Sequence, residues 1–164
     1  MGSTLTTFAV VLQYKDEYGP NGVSAIMLSM VLPTILAAPY AGVLADKVRA
    51  AVLLPVLLSV MGFSTFMLSF ELGFIWSLVF LAITAICGTP VGASFNATLA
   101  NYSTPDDLPR VMGLLQTGSS LGAMLGPGLA GYLVTVTGSF AWSFRIDAAS
   151  FFILAFAVVA LRID

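Results

Sequence analysis

Arg145 and Asp147 fall inside an apolar run that extends from Ala141 to Leu161. A charge within a long apolar segment is costly, and it is read by default as functional. Asp147 lies about 10 Å into the run by helical rise. It has two readings: a proton-linked acid, or a structural acid that reaches the outer interface or a neighbouring helix, with the structural one favoured. Residues two apart do not face one another on a helix, so Arg145 and Asp147 need not pair. Gln13, Asn96 and Gln116 are further polar groups in apolar surroundings. Each is read first as an interhelical hydrogen-bond partner and second as a cavity-facing group. There is no histidine and one cysteine, Cys87. An internal disulfide is therefore excluded, as are the usual zinc clusters. Cys87 lies in an apolar run, without the electropositive setting that activates a thiol, and is read as a packing residue. No metal and no cofactor is expected.

Two other groupings have informative spacing. Gly113, Gly122, Gly126, Pro127 and Gly131 form the run Gly-x8-Gly-x3-Gly-Pro-x2-Ala-Gly. Within it, Gly118, Gly122, Gly126 and Ala130 recur every four residues. Positions four apart share a helix face, so these form a groove without side chains that another helix backbone can approach closely. Pro127 lacks an amide hydrogen, which removes the bond to the Ala123 carbonyl and favours a kink. Ordinary glycine-rich packing is the plainer alternative to a special seam or hinge. The second grouping is Gly42-Val43-Leu44-Ala45-Asp46-Lys47-Val48-Arg49. Asp46 is placed to accept hydrogen bonds from a neighbouring helix N-terminus, where the dipole favours an anion. Lys47 and Arg49 are placed to meet acidic groups or lipid phosphates. A solvated turn whose bases only set topology stands beside that reading.

These residues need long apolar elements to hold them. The chain is 59% hydrophobic and 9% charged, against roughly 25% charged in a soluble domain. So few charges cannot clothe a surface in water, and lipid is the expected surroundings. The net charge of −2 and the absence of a basic stripe argue against nucleic acid. A cleaved signal peptide is rejected, because Met1–Val11 has no basic start and the apolar character continues beyond it. About 20 apolar residues cross a bilayer as a helix, which predicts spans over 2–14 (short), 23–44, 50–70, 74–99, 108–136 and 141–161. The first span has the appearance of a helix whose beginning is missing, and the chain is read as truncated there. The segments lack the ten-residue alternation of barrel strands, so helices are the expected form. The expected fold is an all-α membrane protein, a bundle of six transmembrane helices. Lys47, Arg49, Arg110 and Arg162 fall on one side if the spans alternate, with Lys15 and Arg145 on the other. That bias puts the first group and the C-terminus in the cytoplasm. Trp76 and Trp142 begin spans at the opposite face, where indole suits the headgroup layer.

The loop around Asp46 resembles the signature loop between the second and third helices of the major facilitator superfamily. The glycine run resembles the antiporter motif of its drug:proton antiporters. Leu5-Thr6-Thr7-Phe8-Ala9, Asn96-Ala97-Thr98-Leu99 and Phe144-Arg145-Ile146-Asp147-Ala148-Ala149-Ser150-Phe151 are similar to the macrolide-efflux and enterobactin-exporter branch. The resemblance covers nearly the whole chain and matches the N-terminal six-helix half. Arg49, Ala50 and Ala51 stand where the family loop carries a glycine and more bases, and Ala130 replaces one glycine of the antiporter motif. The resemblance implies a secondary transporter in the cell membrane, exporting a small amphipathic molecule by proton-coupled alternating access. It also implies that Gly42, Asp46, Lys47 and Arg49 gate the cytoplasmic side. The glycine seam would pack against a C-terminal half absent from this chain, leaving an exposed groove unless that half or a second chain covers it. A truncated or non-transporting six-helix subunit is the alternative. A membrane enzyme is the weakest reading, since such enzymes cluster histidine, acids or serine at one membrane face.

Overall fold

A computed structural model describes residues 2–102, 104 and 106–160. Five helices follow one another: α1 (Gly2–Lys47), α2 (Ala50–Leu68), α3 (Phe74–Tyr102), α4 (Leu108–Thr137) and α5 (Ala141–Ala160). All five are long and apolar enough to cross a membrane. Their large apolar side chains are exposed on most sides, as Ile35, Leu36, Ile75, Met124 and Phe156 illustrate. In hydrocarbon the backbone must satisfy its own hydrogen bonds, and a helix does so within one segment.

The count is five rather than six because the first two expected spans form one element. The sequence placed a loop over Lys15–Gly22, on the strength of three charges and the Gly19-Pro20-Asn21-Gly22 cluster. The helix instead runs through Lys15, Asp16 and Glu17, and only Gly19 leaves helical geometry, at φ 56° and ψ −152°. That single residue turns the chain back on itself. The Thr7 hydroxyl lies 3.3 Å from the Met30 sulfur, whereas 23 residues of straight helix would separate them by about 35 Å. α1 is therefore a helical hairpin, with a first arm over 2–18 and a second over 20–47. Pro20 begins the second arm, where its missing N–H costs nothing and its fixed φ suits a helix start.

The remaining bounds shift by a few residues. α2 ends at Leu68, and a turn over Ser69–Gly73 leads into α3 with Glu71 at φ 51°. α3 continues through Asn101, which the sequence had placed in a polar loop. Beyond it the Thr104 hydroxyl donates to the Asp107 carboxylate at 2.7 Å, and the Leu108 amide donates to the Thr104 carbonyl at 3.0 Å. α4 runs unbroken through Pro127. Leu161 and Arg162, used in the last span and the charge count, lie outside the described residues.

Two apolar clusters hold the bundle. Ala9, Val10, Tyr14, Ile26, Leu68, Leu81 and Phe144 gather around the first arm. Leu54, Leu58, Ala155 and Val158 join α2 to α5. These two helices run antiparallel and close: a methyl group on Gly62 would sit 3.2 Å from the Phe152 ring. At one end, Tyr14 packs edge-on to Phe74 and its hydroxyl lies 3.2 Å from that of Ser77. Trp76 and Trp142 begin α3 and α5 at this same end, and both are about half exposed.

The conformation at Gly19 is one that essentially only glycine adopts. Gly19→Ala is expected to cost roughly 1–3 kcal/mol, read as a lower midpoint when helicity is followed during denaturation in detergent micelles. An unchanged midpoint would mean that the turn can form at another residue.

Candidate functional site

Ser143, Asp147 and Ser150 are spaced four and three residues apart, so they line one face of α5. That face meets the first arm of α1. Asp147 is buried, at 3% exposure, and its Oδ2 accepts a hydrogen bond from the Thr6 hydroxyl. The Ser150 hydroxyl donates to the Asp147 carbonyl at 2.6 Å and lies 3.4 Å from Oδ1. A hydroxyl has one hydrogen, so the short contact to the carbonyl is the one it makes. Asp147 thus ties helices 141 residues apart in sequence. Arg145 does not take part: it is exposed, and its guanidinium lies 5.5 Å from the centre of the Trp142 ring. The expectation that the two charges need not pair matches the geometry.

The glycine run forms the wall beside this carboxylate. Gly122, Gly126 and Ala130 are buried on α4. A methyl group on Gly126 would lie 3.6 Å from the Leu5 backbone nitrogen and 3.8 Å from its Cα. This corrects the expectation of an open groove: the middle of the stripe is covered by the first arm of α1. Gly113, Gly118 and Gly131 remain uncovered, since a methyl group on any of them would meet nothing within 4 Å. Between α1, α4 and α5 lies a cavity of about 210 Å³. Gly122, Gly126, Leu5 and Asp147 line it, with Leu125, Leu129, Ile146 and Ser150 around them.

The other predicted site residues lie elsewhere. Asp46, Lys47 and Arg49 are exposed around the two-residue link from α1 to α2, and Gly42 is exposed on α1. The expectation that Asp46 caps a helix is not met among the described residues. The Val52 and Leu53 amides both donate to the Arg49 carbonyl, each at 3.0 Å. Asn96 and Gln116 are exposed on α3 and α4, away from Asp147, and Gln13 is half-buried. Sequence reasoning missed the roles of Thr6 and Ser150. Ser150 carries a local signal, being a hydroxyl three residues from the acid on the same face. Thr6 carries none, because only the fold brings it there.

The Thr6–Asp147 bond can be weighed by a double-mutant cycle with Thr6→Val and Asp147→Asn. Interhelical hydrogen bonds in membranes couple by roughly 0.6–1.7 kcal/mol, and a coupling at the upper end is expected for a carboxylate acceptor. Additive effects on the detergent unfolding midpoint would show that the bond holds nothing.

The sequence model of the Major Facilitator Superfamily matches residues 1–164. A comparison with curated proteins gives no match. The family match spans the hairpin, the buried acid and the glycine face alike, and with five helices able to cross a membrane it shows a multi-pass integral membrane protein of secondary-transporter type: the chain belongs to the Major Facilitator Superfamily.

Proposed function

We propose that the chain is a transport bundle for proton-coupled efflux of a small amphipathic molecule, working by alternating access with a second half or a second copy. The observation that carries this reading is Asp147. An acid enclosed among apolar helices, with the Thr6 hydroxyl as its donor and no ion pair among the described residues, is costly unless it serves the transport cycle. Its bond to Thr6 gives it a means to act, since gain or loss of a proton changes what the first arm of α1 meets. Asp46, Lys47 and Arg49 are exposed and unpaired among the described residues. They are therefore available to a partner's gate-closing surface. The uncovered positions Gly113, Gly118 and Gly131 suit close approach of a second half. Lys47, Arg49 and Arg110 lie at the end of the bundle opposite Trp76 and Trp142, which supports a cytoplasmic gate and C-terminus in the cell membrane.

The test is transport in proteoliposomes under an imposed proton gradient. Asp147→Asn keeps the shape of the acid and is expected to abolish gradient-driven flux of an amphipathic dye while the protein still inserts. Gly126→Ala, whose methyl group meets Leu5 at ordinary contact distance, is expected to retain flux. Gly126→Leu is expected to push the first arm away and stop it. Flux that survives both Asp147→Asn and Gly126→Leu would defeat the reading.

A further inference from the structure

The end of the bundle that carries Trp76 and Trp142 holds a second feature. There the tip of the α1 hairpin meets the start of α3 beside an open cleft, lined by Tyr18, Leu72, Gly73, Phe74, Ile75 and Trp76. The Tyr18 ring stacks on Phe74, with centroids 4.3 Å apart and 14° between the planes. Trp76 stacks on Phe80 with centroids 6.2 Å apart. Tyr18 and Trp76 are thus each backed by another ring, and each is about half exposed. An aromatic face is negative and attracts a cation. Two acids add to that field. Glu17 precedes Tyr18 and its charge acts on the Tyr18 hydroxyl. Glu71 precedes Leu72 and is exposed. The bases at this end are engaged elsewhere: Lys15 lies 3.9 Å from Asp16, and Arg145 lies over Trp142. Glu17 and Glu71 therefore have no basic partner among the described residues.

We infer that this cleft holds the headgroup of a zwitterionic phospholipid, with its ammonium group against the exposed rings of Tyr18 and Trp76 and in the field of Glu17 and Glu71. Depth selects a lipid over a dissolved amine. The cleft lies where α3 begins, level with the tryptophans, and that is the headgroup layer. Leu72 and Ile75 are exposed beside the rings and give the upper acyl chain an apolar surface. Charge selects a zwitterionic headgroup over an anionic one, since two unpaired carboxylates repel net negative charge. The first-turn amides of α3 carry a partial positive charge of about half a unit, less than that of the two carboxylates. It favours the phosphate that stands next to the ammonium in the same headgroup. An open cleft suits a ligand that remains part of the bilayer. Nothing in this assignment depends on Asp147 or on the transport reading.

The experiment is native mass spectrometry of the full chain, released from micelles that hold equal amounts of dioleoylphosphatidylcholine and dioleoylphosphatidylglycerol. The choline lipid is expected to stay bound about threefold more often, the size of one exposed cation–π contact. Tyr18→Leu combined with Trp76→Leu is expected to bring the two lipids level. Trp142→Leu, at the same depth but outside the cleft, is expected to leave the ratio as it was. Glu71→Gln is expected to lower the ratio. Asp106→Asn removes the same charge at the opposite end of the bundle and is expected not to. If the doubly substituted chain does not fold, the comparison of Glu71→Gln with Asp106→Asn decides the matter. Equal retention by the unaltered chain would overturn the site, and so would a preference that survives the double substitution. An equal fall with Trp142→Leu or with Asp106→Asn would also overturn it, because any interfacial ring, or net charge alone, would then account for the preference.

Discussion

Hydrocarbon offers no hydrogen-bond partners, and the polar groups of this chain answer to that fact, apart from the buried hydroxyls of Thr65, Ser69, Ser94 and Ser143, which have no partner among the described residues. Most hydroxyls are consumed locally. Thr34, Ser59, Thr84, Thr89, Thr98, Thr117 and Thr135 each donate to the carbonyl four residues back in their own helix. A hydroxyl spent in this way satisfies itself and offers nothing to a neighbour. The side-chain bonds described between helical rods are therefore few: Thr6 to Asp147, Thr7 to Met30, and Tyr14 with Ser77. Each begins on the first arm of α1.

That arm is consequently the hub of the bundle. It reaches the second arm through Thr7, α3 through Tyr14 and α5 through Thr6. It also covers Gly126 of α4 with the Leu5 backbone. Gly19 makes this possible by reversing the chain within one residue, so that Val10 and Ile26 enter the same apolar cluster. The acid, the glycine wall and the cavity share one place because the arm touches both α4 and α5 there.

Composition was enough to read the helical class, since no soluble surface can be built from so few charges. Span positions were also legible where a charge or a glycine-proline cluster follows about 20 apolar residues, as at Lys47 and Glu71. The break near the Gly19-Pro20 cluster was legible too, but not its tightness at the single residue Gly19, because three charges in a row are the ordinary mark of a loop, and here they ride on the last turn of a helix. Asp147 stood out as a charge in an apolar run, and the four-residue glycine spacing identified a face for close packing. What covers that face was hidden. Leu5 and Thr6 are apolar and small polar residues like many others, and their partners lie more than 110 residues away. Long-range pairing leaves no local periodicity to read.

The α2–α5 contact differs in kind from the rest. Leu54, Leu58, Ala155 and Val158 meet there, with Gly62 under the Phe151 and Phe152 side chains, and no side-chain hydrogen bond is described between the two helices. Dispersion contacts hold helices together without fixing their axial register as firmly as a directional bond does. The bundle accordingly has one flank pinned by hydrogen bonds and one that is only packed. On the packed flank the axial register therefore rests on shape alone, with Gly62 seated under the Phe151 and Phe152 side chains, whereas on the other the Thr6–Asp147 bond sets it by direction.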